Sequence, residues 1–171
     1  MPMIDMKGMK RIPQETTATC WLAAYQMMFT WKGLDTSLPL QLLKSRTDVD
    51  VSKALNEGLD APDWPKAARA FRMWAVAGGE FSDEWFKGTL KDFGPMLVHG
   101  KFELGMHSIV VIGWEENFWG TVQMAWYLNP FWEGTKDIKP RCSSIKWLRD
   151  GVKRNQGRAA VIQYWTPSAT P

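Results

Sequence analysis

A change in the spacing of apolar residues near residue 94 constrains the fold of this 171-residue chain more than any other feature. Before it, apolar periodicity and capping residues predict helices at about residues 20–31, 39–46, 63–77 and 83–93. After it, short runs rich in β-branched and aromatic residues alternate with Gly, Pro or Asn, which predicts an antiparallel sheet. Helices followed by strands around one core indicate an α+β fold.

The length of the chain suits one well-buried domain and is short for two. We therefore expect a single domain over residues 1–171, with a helical lobe at about 12–93 and a β-rich lobe at about 94–166. The stretch 129–151 contains many loop-forming residues, and it is predicted to be a loop with one helical turn near 145–149.

Residues typical of helix ends accompany two of the predicted helices. Thr17 or Thr19 is expected to cap the first helix with its hydroxyl group, and Gly33 lies just beyond its last residue. The third helix is expected to begin after Asp63 and to continue as far as the Gly-Gly pair at 78–79. The first helix is apolar on most faces, so it should be a buried central helix.

Composition argues against several classes of protein. The net charge is +3 and the positive residues are scattered, which argues against a dedicated nucleic-acid surface. No apolar run is long enough for a signal peptide or a transmembrane helix, so we expect a soluble chain without its own secretion signal. Two cysteines make no disulfide framework and two histidines are too few for a typical zinc site, so we expect no metal or cofactor.

The pentad Thr19-Cys20-Trp21-Leu22-Ala23 places a cysteine at the predicted start of the first helix. The partial positive charge of a helix N-terminus favours the thiolate, which is the nucleophilic form of cysteine. Gln14 lies six positions earlier, and its amide can bind an oxyanion together with the backbone N–H of Cys20. The alternatives are that Cys20 is an inert buried thiol and that Gln14 is a solvated loop residue.

A general base for this thiol must be one of two histidines. His107 opens the apolar run 108–113 and is therefore held at the entry of a buried strand, which suits a positioned base. His99 ends the apolar run before Gly100 and is expected to be a structural or groove-lining residue. A purely structural role at a strand end is the alternative for His107.

Asn129 ends the strand that follows His107, and in an antiparallel hairpin the two residues meet at the same sheet edge. The side-chain oxygen of Asn129 is then expected to accept the imidazole N–H, with Phe131 or Trp132 shielding that hydrogen bond from water. The alternative is that Asn129 is only a turn residue, since Asn-Pro is a common turn signal. Among the eleven tryptophans, Trp21 and Trp132 are expected to contact substrate; packing is the alternative.

The segment QETTATCWLAA, with Gln six positions before Cys-Trp at the start of a long helix, resembles the catalytic-cysteine segment of papain-like cysteine peptidases. Gly94-Pro95 before a strand, the run HSIVVIG, and Asn129-Pro130 after the next strand resemble a small bacterial branch of that family in particular. That branch includes secreted effector peptidases and toxin domains. The resemblance covers about residues 12–132.

The resemblance implies a two-lobed fold with the active site in the cleft between the lobes. It implies Cys20 as nucleophile, His107 as base and later acid, Asn129 as orienting group and Gln14 in the oxyanion hole. The implied reaction is hydrolysis of peptide bonds in protein substrates through a thioester acyl-enzyme. The implied biology is a bacterial effector or interbacterial toxin, delivered into target cells by a secretion system or a larger polypeptide and blocked by an immunity protein.

The sequence departs from the family pattern in two places. Ala18 stands where plant and lysosomal members have Gly, and only about eleven residues precede the motif, so a partner protein is the expected regulator rather than a propeptide. Three other functions remain open for the same residues. They are a transglutaminase or deamidase, a peptidoglycan amidase, and a papain-like fold that only binds its partner.

Overall fold

The computed structural model describes residues 9–102, 105–131, 139–153 and 160–167. The described helices are α1 (Cys20–Trp31), α2 (Leu38–Lys44), α3 (Val51–Glu57), α4 (Trp64–Ala70), α5 (Asp83–Phe93) and α6 (Ile145–Val152), with a 3-10 turn at Ala61–Asp63. The described strands are β1 (Trp74–Ala77), β2 (Met96–Phe102), β3 (Gly105–Glu116), β4 (Val122–Leu128), β5 (Arg141–Ser144) and β6 (Val161–Tyr164). In the described part of the chain no helix has the length and apolar character needed to cross a bilayer.

The six strands form one sheet in the order β1-β6-β2-β3-β4-β5, and every neighbouring pair is antiparallel. Together with the helices, this sheet confirms the predicted α+β fold. The central pair β2 and β3 has His99 opposite Ser108 and Gly100 opposite His107. Both histidines therefore lie near the same end of the sheet, on adjacent strands.

Helices cover both faces of the sheet. Because successive side chains of a strand point to opposite faces, each strand contributes apolar residues to both faces. Helix α1 packs on one face against β2 and β3, where Leu97, Val110 and Ile112 join its buried residues. Helices α5 and α6 pack on the other face, where Val98, Ile109 and Val111 belong to a second apolar cluster. The central strands are thus buried on both faces. Helix α1 is buried against one of these faces, as the sequence predicts.

Helix α1 begins and ends where the sequence predicts. The hydrogen bond made by the capping residue, however, is not the predicted one. Thr19 occupies the capping position, but its hydroxyl accepts from the Thr16 backbone N–H at 3.0 Å instead of bonding the first helical turn. It therefore closes the preceding loop and leaves N–H groups at the helix start to other partners. Gly33 follows the helix with a φ of +72°, a conformation that glycine adopts without strain.

The predicted third helix is wrong over its second half. Helix α4 ends at Ala70, and Trp74–Ala77 form strand β1, which pairs with β6 in the register Trp74 to Tyr164. Arg72 has a φ of +52°, which turns the chain out of the helix. Hydrogen bonding to β6, a partner far away in the sequence, outweighs the local helical tendency of this segment.

The loop predicted over 129–151 is also wrong in part. Strand β5 pairs with β4 along the edge of the sheet. Helix α6 then covers Ile145–Val152, longer than the single predicted turn, and the Ser144 hydroxyl caps it by accepting from Trp147 N–H at 3.2 Å. Helix α3, which was not predicted, is capped by the Asp50 carboxylate through Lys53 N–H at 2.9 Å.

Candidate active site

Cys20 is the first residue of α1 and borders a cleft of about 420 Å³. The cleft lies between the start of α1, the connection from α3 to α4, and the ends of β2 and β3. The thiol is mostly buried, with 7% of the residue exposed. The lining residues are Thr17, Ala18, Cys20, Trp21, residues 57–62, Trp64, His99 and Met106.

Burial raises the pKa of the Cys20 thiol, because the apolar surroundings disfavour the thiolate. Hydrogen bonding to the backbone N–H and hydroxyl of Ser108 lowers it, as do the backbone N–H groups of Trp21 and Cys20 at the helix start. The predicted effect of the helix N-terminus thus acts in the expected direction, but burial is larger. The free site therefore favours the neutral thiol, and a nearby base must take its proton during reaction.

His107 forms the hydrogen bond to Asn129 that the hairpin geometry predicts. The distance from His107 Nε2 to Asn129 Oδ1 is 2.8 Å, and Phe131 N–H donates to the same Oδ1 at 2.8 Å. Because the backbone N–H requires an acceptor, this atom is the amide oxygen, so His107 Nε2 must carry the proton. In the neutral imidazole, Nδ1 then keeps its lone pair and is able to accept a proton.

The surroundings of His107 favour its neutral form. Burial lowers the pKa of the imidazole, and the hydrogen bond to Asn129 opposes that change. The ring of Phe131 lies edge-on to the imidazole with 6.3 Å between ring centroids. Phe131 is one of the two aromatic residues predicted to shield the hydrogen bond between His107 and Asn129, and His107 in its neutral form is able to accept a proton.

Two residues from the segment before α1 hold the loop that carries Asn129. Arg11 Nε donates to the Asn129 carbonyl at 2.6 Å, and Arg11 Nη2 donates to the Phe131 carbonyl at 2.5 Å. The backbone N–H of Gln14 donates to the Pro130 carbonyl at 2.9 Å. Sequence reasoning missed Arg11, because no local signal links it to a loop more than a hundred residues away.

The side chain of Gln14 lies between this loop and the start of α1. Its Nε2 donates to the Thr16 carbonyl at 2.7 Å, and the residue is 9% exposed. The amide has a second N–H that this bond does not use. Its Oε1 has no hydrogen-bond partner among the residues that the structure describes. Placement of Gln14 in an oxyanion hole stays a prediction.

His99 lines the cleft, as predicted, and belongs to a buried polar pair. Its Nδ1 lies 3.0 Å from Ser108 Oγ, and its ring packs on Trp64 with 4.4 Å between centroids. Burial, with a smaller contribution from His107, lowers the pKa of His99 to about 3, so the ring is neutral. Sequence reasoning missed Ser108, although counting outward from the opposed Phe102 and Gly105 gives its register with His99.

Of the two tryptophans predicted to contact substrate, Trp21 lies among the described residues. Trp21 borders the cleft but is only 1% exposed, and its indole N–H donates to the Ala54 carbonyl at 3.1 Å. It therefore packs α1 against α3. Trp132 lies outside the described residues. The second cysteine, Cys142, is a half-buried free thiol on β5.

Comparison with models of protein families gives a match for this chain. The family model described as the papain-like cysteine protease AvrRpt2 matches residues 4–138, which is most of the chain, and the four predicted catalytic residues lie within that range. No curated protein matches the sequence. The α+β architecture described above is compatible with this match. The chain therefore belongs to the AvrRpt2 family of papain-like cysteine proteases.

Proposed function

We propose that this chain hydrolyses peptide bonds in protein substrates, with Cys20 as nucleophile and His107 as general base. Asn129 orients His107, and Gln14 with the backbone N–H of Cys20 binds the oxyanion. The observation that carries the proposal is the fixed tautomer of His107. Asn129 Oδ1 holds Nε2–H, which leaves Nδ1 as the proton acceptor. Cys20 interacts with Ser108, the residue that follows His107, and this neighbourhood supports the proposal that the thiol and this base act together.

The first half of the reaction acylates Cys20. His107 Nδ1 takes the thiol proton while sulfur attacks the carbonyl carbon of the scissile peptide, and a C–S bond forms. The carbonyl oxygen becomes an oxyanion, which the Gln14 amide and the N–H groups at the start of α1 stabilise. When this intermediate collapses, the C–N bond breaks and His107 donates its proton to the leaving amine. The product on the enzyme is a thioester.

The second half releases the acid product. His107 Nδ1, now neutral again, takes a proton from a water molecule that attacks the thioester carbon. The C–S bond breaks, and the proton returns to the Cys20 sulfur. The Asn129 hydrogen bond stays in place throughout, because it is made by Nε2, the nitrogen that transfers no proton. Because Nδ1 transfers the proton and Nε2 keeps its hydrogen bond, the imidazole stays aligned in both steps.

The biological role that we propose is that of a bacterial effector or interbacterial toxin acting on proteins of another cell. The family match supports the effector part of this role through its AvrRpt2-type description. The cleft beside Cys20 is the surface that an inhibitory immunity protein would block. Secretion or a larger delivered polypeptide would bring the domain to its target.

The experiment that tests the reaction compares cells expressing the wild-type chain or Cys20→Ala, followed by proteome-wide identification of new peptide termini. Cys142→Ser serves as the matched control, because it also removes one thiol but lies on the edge strand β5. We expect new termini with the wild type and with Cys142→Ser, and none with Cys20→Ala. Equal sets of termini with and without Cys20 would contradict the proposal.

The same comparison separates the other functions that the sequence leaves open. A deamidase would add about one dalton to glutamine side chains, as expected when an amide becomes an acid, and a transglutaminase would form amide cross-links. A peptidoglycan amidase would change the muropeptides, and a binding module would leave all of these unaltered. If one of these results is observed and new peptide termini are absent, the corresponding function replaces peptide hydrolysis as the proposed reaction.

A further inference from the structure

Ser108 lies where the cleft meets the sheet and touches two titratable groups. It is fully buried on β3, opposite His99 on β2. Its hydroxyl oxygen is 3.0 Å from His99 Nδ1, and it also interacts with the Cys20 thiol. A buried hydroxyl that connects an imidazole with the thiol has no part in the reaction steps above.

The protons of this group have only two arrangements, because His99 is neutral and a serine hydroxyl has one proton. In the first, Ser108 donates to His99 Nδ1, and its oxygen can only accept a hydrogen bond from the Cys20 thiol. In the second, His99 Nδ1–H donates to Ser108 Oγ, and the hydroxyl proton is free to point at sulfur. Only the second arrangement places a donor on the thiolate.

We infer that Ser108 and His99 are positioning residues that stabilise the Cys20 thiolate, His99 holding the hydroxyl of Ser108 as a donor to sulfur. The inference rests on the proposed role of Cys20 as nucleophile. Buried hydrogen bonds to a charged group are stronger than those between neutral groups, so one donor has a measurable effect on the thiol. The Ser108 backbone N–H adds a second donor that side-chain substitution leaves intact.

The other titratable groups near Cys20 come from three elements. His107 lies on β3 and His99 on β2, while Glu57 and Asp60 border the cleft at the α3–α4 connection. Asp60 is paired with Lys53 at 2.6 Å. The first turn of α1 contains no acidic residue. Because none of these charges changes on replacing Ser108, a shift caused by that substitution reports on the hydroxyl.

The test measures the rate of iodoacetamide alkylation against pH in a Cys142→Ser background, where Cys20 is the remaining cysteine. We expect Ser108→Ala to raise the midpoint of this profile by about one pH unit or more, a tenfold smaller thiolate fraction at acidic pH. Peptide cleavage should show the same shift in its acidic limb, with kcat lowered more than KM changes. An unshifted midpoint in the folded variant would overturn the inference.

A pair of substitutions at His99 keeps the test decisive if Ser108→Ala does not fold. Asn has an amide nitrogen near the position of Nδ1, so His99→Asn should keep the wild-type midpoint. Leu has a comparable volume and no donor, so His99→Leu should raise it. Equal midpoints for these two variants would overturn the inference. The proposed peptidase function is tested separately by Cys20→Ala, since alkylation reports on the thiol whichever bond it attacks.

Discussion

The two histidines of this chain lie on adjacent strands, yet their surroundings differ in one decisive respect. His107 is held from outside the sheet by the Asn129 side chain, whose oxygen also accepts the Phe131 backbone N–H. The Arg11 guanidinium holds the same residue by donating to the Asn129 main-chain carbonyl. His99 is held from within the sheet, by Ser108 across the strand pair and by the Trp64 ring. Both rings are buried and have lowered pKa values.

This difference shows that hydrogen-bond partners decide the role of a histidine more than burial does. The Asn129 oxygen supports Nε2–H on His107, and it would also support the positive charge that forms when Nδ1 accepts a proton. Ser108 provides His99 with only a hydroxyl, and burial disfavours a positive charge on its ring. His107 is therefore suited to proton transfer, and His99 to remaining neutral.

The largest effect is expected from replacing His107 with alanine, and His99→Ala is the variant with which it is compared. His107→Ala should lower kcat/KM by at least about a thousandfold, because the base and the acid are lost together. His99→Ala should lower it by about tenfold or less, because the base remains. The measurement is peptide cleavage by the two purified variants, with folding checked by circular dichroism. Similar losses for both variants would remove the distinction between the sites.

Acid stability provides a sharper test of His99. Its pKa is about 3 in the folded chain and about 6.5 when unfolded, so the unfolded chain binds more protons between these values. The free energy of unfolding should therefore decrease as pH falls from 6.5 towards 3, by about 3 kcal/mol at pH 4 from this residue alone.

The non-titrating variant His99→Asn should lose that part of the pH dependence. Urea unfolding at pH 7 and pH 4 measures it, and the carboxylates act as the common background in both proteins. His107 also has a lowered pKa and contributes in the same direction, but it is present in both proteins. An identical decrease for wild type and variant would show that His99 is not buried as a neutral ring.

Asn129→Ala should lower kcat by about 10- to 100-fold, less than removal of His107. The imidazole would lose the partner that keeps its proton on Nε2, so the reactive tautomer would be populated only in part. Asn129→Asp, which keeps the acceptor oxygen, should recover much of the activity and raise the pKa of His107. Single-turnover cleavage against pH measures both effects. Activity equal to wild type in Asn129→Ala would contradict the orienting role.

The smallest effect is expected at Arg11. Arg11→Ala should lower kcat by about five- to tenfold, because the loop with Asn129 loses two hydrogen bonds from the guanidinium. Arg11→Lys keeps the charge without the two-pronged geometry and should recover little. The His99 contribution to acid stability should stay unchanged in both variants, since the two hydrogen bonds described for Arg11 are made to the loop that carries Asn129. A change in that contribution would mean that the two sites are coupled.

Local signals in the sequence were sufficient where the structure depends on neighbouring residues. The end of α1 before Gly33 follows from the glycine preference, and Thr19 occupies the predicted position before Cys20, although its hydroxyl bonds the preceding loop. The His107–Asn129 hydrogen bond follows from hairpin geometry and was predicted correctly. The roles of these residues in catalysis remain predictions.

Distant pairing explains what the sequence did not reveal. Trp74–Ala77 becomes a strand because β6, more than eighty residues later, completes its hydrogen bonds. The Arg11 clamp and the Ser108–His99 pair likewise depend on tertiary contacts and on strand register. Periodicity describes only the local chain, so it cannot identify such partners.

The central claim is that Cys20 is the nucleophile of a peptidase, and limited alkylation tests it most directly. The wild-type chain is treated with substoichiometric iodoacetamide near neutral pH, and the labelled fraction of Cys20 and Cys142 is measured by peptide mapping alongside residual peptidase activity. We expect Cys20 to react much faster, because His107 accepts its proton, and activity to fall in proportion to its labelling. Activity that stays at its full value while the labelled fraction of Cys20 increases would contradict the claim.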